Sequence, residues 1–334
     1  MSSRSSSSIL GRRQFTAALG AAAAFTIGPP VWAQARRPAR IGFIGGGGAA
    51  DSESFLTNLP VGLAKLGYDR SSFSFIERFA EQKPELIQGL VAELEAASVD
   101  LIVTHAAAVL PVVRAKRVTP VVYNLSADPV SVGLTTELSR PENNATGLTL
   151  MAAELNGKRL ELLREIGPER RRVSVLYNPL HGGEHLERAW IDERAKALGF
   201  DVAYHPASNL EALNRALAAN EAAPPDAFLL LSDGFMHQQR GAAIQAALRL
   251  RVPVIAGWAV FAESGALCSY GPRIPEMVQR TAFYVDRILR GAKPADLPIE
   301  RPNTFELLIN LDTAAQLGLN LSPTLIARAD RVIG

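Results

Sequence analysis

One cysteine in 334 residues excludes an internal disulfide and any paired-cysteine metal or redox motif. Cys268 lies in Ala266-Leu267-Cys268-Ser269-Tyr270, which reads as a strand, so it is expected to act as a small buried hydrophobe. It is too far from the N-terminus to carry a lipid anchor. Charge of one sign is lacking too: Lys and Arg number 35 against 33 Asp and Glu. Three of those arginines (Arg4, Arg12, Arg13) fall in the first 35 residues, which hold no acid, so the rest is close to neutral. With no basic run there is no footing for nucleic acid or an anionic membrane as partner. Beyond residue 35 no apolar run reaches the roughly 20 residues that span a bilayer. There is no Gly-x-Ser-x-Gly elbow, no Walker loop and no catalytic constellation legible in sequence. His181 and His185 are four apart, but Gly182-Gly183 between them breaks the helix that would align two imidazoles, so the stretch reads as a polar loop without metal.

What is present begins with the leader. A serine run with Arg4 precedes Gly11-Arg12-Arg13-Gln14-Phe15-Thr16, then the apolar stretch from Ala17 to Ile27 and Val31-Trp32-Ala33-Gln34-Ala35. A charged start, a short apolar run and an Ala-x-Ala exit describe a cleavable export signal. The adjacent arginines followed by x-Phe resemble the twin-arginine type. A periplasmic protein is expected, with residues 1–35 removed. Outside the cytoplasm, ATP and NADH are not at hand, which weakens many enzyme readings.

The remaining 300 or so residues suit two lobes of ordinary size. From Arg40 short apolar runs alternate with amphipathic segments. Strands are expected at 40–45, 72–76, 99–104 and 120–124, with helices at 53–66, 84–97 and 107–116 and a short helix opening at Asp128-Pro129. A second series has helices at 155–166, 184–198, 210–219 and 238–250. Its strands are at 172–177, 200–204, 227–231 and 252–256. Apolar strands alternating with helices bury both sheet faces. The expected class is α/β, with two doubly wound parallel-sheet lobes and a hinge. The loop 139–147 is the best first linker.

Gly45-Gly46-Gly47-Gly48 follows the first strand. Read as Gly45-x-Gly47-x-x-Ala50, it matches a loose dinucleotide fingerprint, with Glu77 placed as the ribose-binding acid. An exported NAD(P)-dependent oxidoreductase is therefore the alternative. The helix expected to begin only at Ser52 or Ser54 argues for a plainer loop whose glycines use positive φ where a ligand or the other lobe approaches. In doubly wound sheets ligands bind beyond the carboxyl ends of strands. Those ends carry Gly46, Thr104, His105, Asn124, Ser126, Asn178, Ser232, Asp233, Trp258 and Tyr270. Amides and hydroxyls orient a small polar or zwitterionic molecule, an aromatic covers its apolar part, and Asp233 meets an amine. No cofactor, no metal and no catalytic residue is expected.

Several stretches in fixed order resemble a known family. They are Asp100-Leu-Ile-Val-Thr, Thr119-Pro-Val-Val-Tyr, Ala127-Asp-Pro-Val-Ser-Val-Gly-Leu, Leu155-Asn-Gly-Lys-Arg-Leu-Glu-Leu-Leu, Val173-Ser-Val-Leu-Tyr-Asn-Pro, Leu230-Leu-Ser-Asp and Gly265-Ala-Leu-Cys-Ser-Tyr-Gly-Pro. The chain resembles ABC transporter substrate-binding proteins of the tryptophan and uncharacterised-substrate type, which have the type I periplasmic binding fold. The likeness implies a monomer without enzymatic activity that closes on an amino acid or related metabolite and docks on an inner-membrane ABC permease. It implies lobes of 36–147 plus 272–300 and 148–271 plus 301–334, with crossings near 145–150, 269–272 and 299–303. Two departures fall at the expected cleft: four glycines where polar side chains are usual, and Thr104-His105 where a Thr-Pro or Ser-Pro step is usual.

Overall fold

The computed structural model describes residues 37–334 apart from 116, 117, 142 and 152. The export signal expected over 1–35 lies outside them. The chain opens with β1 (Ala39–Gly45), α1 (Ala49–Lys65), β2 (Phe73–Phe79), α2 (Ile87–Ala96), β3 (Leu101–His105), α3 (Val109–Arg114), β4 (Val121–Leu125) and β5 (Ala145–Thr149). These strands form one sheet in the order β2-β1-β3-β4-β5, every pair parallel. Both faces are covered, so the strands read as apolar runs rather than alternating ones. Ile41, Phe43, Leu101, Val103 and Val122 point to one face, and Ile44, Ile102, Val121 and Tyr123 to the other.

The second series is α4 (Leu155–Ile166), β6 (Arg172–Tyr177), α5 (Glu184–Leu198), β7 (Asp201–Pro206), α6 (Leu210–Ala222), β8 (Ala227–Leu230), α7 (Gly234–Arg249), β9 (Val254–Ala256), α8 (Ala259–Glu263) and β10 (Cys268–Pro272). Then come α9 (Ile274–Leu289), β11 (Phe305–Asn310), α10 (Leu311–Gln316), α11 (Pro323–Ala327) and β12 (Arg331–Ile333). The second sheet runs β12-β11-β10-β9-β8-β6-β7. From the β7 edge its first five strands repeat the order of the first sheet. Only β11 runs against its neighbour β10, and β12 follows β11 in parallel. The molecule is α/β, with two parallel-dominated sheets clad in helices.

The chain passes between the sheets three times. After β5 it enters α4, which packs on α5, β9 and β10. After β10 it returns as α9 against α1, β4 and β5. The face of α9 carrying Met277, Val278, Thr281, Ala282, Tyr284, Val285 and Ile288 is buried, at the spacing of one helical stripe. Each such apolar side chain contributes roughly 1.5–3 kcal/mol. Glu300 then clasps β5: Thr149 N–H donates to its carbonyl at 2.9 Å, and its own N–H donates to Gly147 O at 3.1 Å. The Arg280 guanidinium holds its carboxylate at 2.6 and 2.9 Å. From there the chain crosses back into β11.

Four local expectations change. The first helix begins at Ala49, not near Ser52, because the Asp51 carboxylate reaches back to Gly48 N–H at 3.1 Å and fixes the first turn. The helix expected from Ala107 opens as a 3-10 turn over 106–108 before α3. No helix forms at Asp128-Pro129. Its carboxylate accepts Ser131 N–H at 2.7 Å, and Gly133 with φ +70° ends the turn. The linker placed at 139–147 runs into β5, the edge strand of the first sheet.

Candidate functional site

Strand order 2-1-3-4-5 reverses between β1 and β3, and again between β6 and β8. Ligands of doubly wound sheets lie at the carboxyl ends beside such reversals. In the first half that place is built from the glycine loop and the end of β3. None of Gly45 to Gly48 has positive φ, so the expected use of left-handed backbone is corrected. Space is the reason for glycine. A Cβ on Gly45 would stand 2.6 Å from Ser52 Oγ, one on Gly46 3.1 Å from Ala108 N, and one on Gly47 1.9 Å from Asp51 Oδ2.

Strand alternation separates Thr104 from His105. Thr104 is fully buried and donates to Ile44 O at 2.8 Å, so its hydroxyl is not offered to a ligand. His105 points to the opposite face, stacked on Phe55 (5.0 Å between centroids, 14° between planes) and Phe43 (5.7 Å), with Nε2 3.0 Å from Ser52 Oγ. Burial pushes its pKa down to about 4, against the pull of Asp51, and keeps the ring neutral. Asn124 is its neighbour in register. It is buried and accepts from Thr281 Oγ1 at 2.8 Å, and its Nδ2 has no hydrogen-bond partner among the described residues.

In the second half, Asn178 Nδ2 donates to Asp233 Oδ2 at 2.5 Å. Asp233 also caps α7, accepting Met236 N–H at 2.6 Å. Burial raises its pKa, against the opposing pull of Met236 N–H, His181 and Asn178. Ser232 Oγ accepts Gly257 N–H at 3.0 Å. Trp258 precedes α8 and meets His237 edge-on at 6.0 Å. The Tyr270 ring leans on Phe305 at 6.4 Å.

The two halves touch through groups that strand-end reasoning only partly found. Ser126 Oγ lies 3.2 Å from His181 Nε2, and Asp128 N–H donates to Gly182 O at 3.4 Å. Gly182 must be glycine here, since a Cβ would stand 1.8 Å from Val132 Cγ1. His181 Nδ1 is 3.7 Å from the buried Glu187 carboxylate. Asn156 Nδ2 donates to Glu187 Oε1 at 3.3 Å, and its Oδ1 accepts from Arg159 Nη1. Arg159 Nε donates to Tyr270 O at 2.9 Å. Burial pushes Arg159 down to about 10, partly offset by Glu187 and Glu154. At the glycine loop, Asp51 and His105 of the first half influence the ionisation of His237 of the second, or feel its charge. Asp51, Ser52, Asn156, Arg159, Glu187 and His237 escaped the sequence reading, and His181 was read there only as part of a polar loop. For Arg159 a signal existed: Leu155, Arg159, Leu162 and Leu163 form one stripe of α4, and a charge stands in it.

The dinucleotide reading loses its footing. Gly48 N–H is already taken by the Asp51 carboxylate, so a pyrophosphate there would meet a like charge. Glu77 is exposed and lies two residues short of the end of β2. Among the described residues no group of three or more His, Cys, Asp or Glu could hold a metal ion, and no helix is long and apolar enough to cross a membrane.

The family model described as ABC transporter substrate binding protein matches residues 56–333. The chain belongs to that family. Among its relatives is the tyrosine-binding protein of Clostridioides difficile strain R20291, 22% identical over 200 residues. That match covers 60% of this chain and 57% of the relative, so the chain matches little more than half of the relative's length. An ABC domain from Streptococcus pneumoniae, solved in complex with L-Trp, superposes with TM-score 0.81 at 20% identity, covering 89% of this chain and all of that one. A conserved domain protein from Vibrio cholerae O1 biovar El Tor superposes with TM-score 0.80 at 24% identity, covering 88% and 99%. These likenesses place the substrate-binding protein in the type I periplasmic binding fold. None of the comparisons supports the oxidoreductase alternative.

Proposed function

We propose that this substrate-binding protein captures an amino acid between the carboxyl ends of its two sheets and delivers it to an ABC permease in the inner membrane. The observation that carries this reading is the meeting of polar groups from both sheets at those ends, Ser126 with His181 above all. Asp233 receives the ligand's amine, Asn178 and Ser232 orient it, and Trp258 and Tyr270 cover its side chain. Gly46 offers backbone, and His105, held neutral, offers a ring nitrogen. The tyrosine and tryptophan named for the relatives support an amino acid as the ligand class.

The lobes in this reading are 37–149 with 273–300, and 155–272 with 305–334. The three crossings between the sheets form the hinge, and closure on the ligand makes the surface that the permease reads. Residues 1–35 direct export by the twin-arginine route and are removed, and the protein works as a periplasmic monomer. It is a carrier and not a catalyst.

A thermal-shift screen of the chain from Arg36 tests this against the amino acids, small carboxylates and NAD(P). A ligand at 100 times its Kd adds about 2.7 kcal/mol to the folded state. That raises Tm by several degrees in a chain of this size. A rise with one or a few amino acids and none with NAD(P) is the expected result. A rise with NADP alone would overturn the proposal.

A further inference from the structure

Arg159 is a buried charge of the second half that the protein answers only in part. It is 5% exposed and sits in the apolar stripe of α4. A buried guanidinium is costly unless an anion and a full set of acceptors meet it. No Asp or Glu among the described residues forms an ion pair with Arg159, and the buried Glu187 carboxylate shares hydrogen bonds with it through the Asn156 amide. Nε is spent on Tyr270 O and one Nη1 hydrogen on Asn156 Oδ1. Nη2 makes no hydrogen bond among the described residues.

The guanidinium lies where three strand ends converge. A Cβ on Gly257 would stand 2.8 Å from Arg159 Nη2 and 2.7 Å from Ser232 Oγ. Gly257 therefore lets the guanidinium come up beside the Ser232 hydroxyl, next to Trp258, where a side chain would shut it off. The edge formed by Nη1 and Nη2 keeps hydrogens on both nitrogens, and a flat group with two anionic oxygens fits such an edge. Burial lowers the pKa of Arg159 only to about 10, so the charge is present at neutral pH.

We propose that Arg159 is the anion anchor of this cleft and takes the carboxylate of an α-amino acid on the Nη1–Nη2 edge of its guanidinium. Asp233, 4% exposed on the neighbouring strand end, is then left for the amine. Two fixed charges of opposite sign select a zwitterion over an amine or an acid alone. This rests on the proposed function and goes beyond it in naming the residue and the group it binds.

The test uses the chain from Arg36 and calorimetry. The twenty L-amino acids are first titrated against the wild type, and each binder is compared with its α-carboxamide, which keeps the amine and side chain and loses the anionic charge. The carboxamide is expected to bind about 100-fold more weakly, the usual scale for removing one partner of a buried charge pair. In Arg159→Lys and Arg159→Met the acid should fall about 100-fold towards the carboxamide while the carboxamide changes less than about 3-fold. A role limited to holding Asn156 and Tyr270 would weaken acid and carboxamide together, and that result overturns the proposal. So does a wild type that binds both equally, a comparison that needs no variant to fold. Silence across all twenty amino acids would overturn the amino-acid reading itself and the anchor with it.

Discussion

His105 and His181 are both enclosed, yet their protons answer to opposite pressures. His105 rests between phenyl rings, and burial holds its pKa at about 4. In the unfolded chain it titrates near 6.5. A histidine lowered on folding lends stability above its unfolded pKa and takes it away as pH falls towards the folded value. The expected loss is on the order of 3 kcal/mol between pH 6.5 and 4. Urea unfolding across that range measures it, and His105→Phe, which keeps the stack and cannot charge, should flatten the slope. At this scale the sequence was legible where side chains leave strand ends and opaque elsewhere. Asp233 and Asn178 came from strand ends and are hydrogen-bonded neighbours. Thr104 came from the same rule and faces away, because one step along a strand reverses the side chain. Arg159 and Glu187 project from helices, whose rotation about their axes only packing fixes.

Between helices, α1 and α9 come close. A Cβ on Gly62 would stand 2.2 Å from the carbonyl of Gln279, so α1 can lie on α9 only because residue 62 has no side chain. Gly62→Ala should cost about 1–3 kcal/mol by forcing the helices apart. Gly89→Ala on α2 has open space around it and should instead be neutral or stabilising by up to about 1 kcal/mol. Denaturant midpoints of the two variants against the wild type check both signs, and equal gains would mean that helix propensity rather than packing decides. Most elements from β1 to β9 were marked by periodicity, whereas α8 and α9 were not among those expected. The turn at Asp128 was misread because Asp-Pro opens helices and turns alike, and it is Gly133, at φ +70°, that makes this one a turn. Strand β5 hid in a run of polar and small residues because its partner, β4, lies more than 20 residues earlier.

Across the whole molecule, His181 joins the halves. Burial would push its pKa down, but the Glu187 carboxylate beside Nδ1, aided by Asp233, outweighs that and raises it. A histidine raised on folding lends stability fully below about pH 6.5 and loses that contribution as pH climbs through the raised value. Stability should therefore fall on going from pH 6 to pH 8.5, and His181→Gln, neutral at every pH, should remove that part of the dependence. Urea unfolding at fixed ionic strength reads it, and a variant with the same slope as the wild type over this range would show that the fold does not draw on the His181 charge.

The pairing of α1 with α9 has a consequence for how the chain is made. Lys65 on α1 donates to Gln279 on α9 at 2.6 Å, across a separation of 214 residues. During synthesis α1 emerges early and its apolar face stays uncovered until almost the entire chain has left the ribosome. The second sheet, which waits for β11 and β12, is no sooner complete. Neither half can close before residue 289 has emerged, so a nascent chain halted short of it presents an open apolar seam to chaperones and proteases.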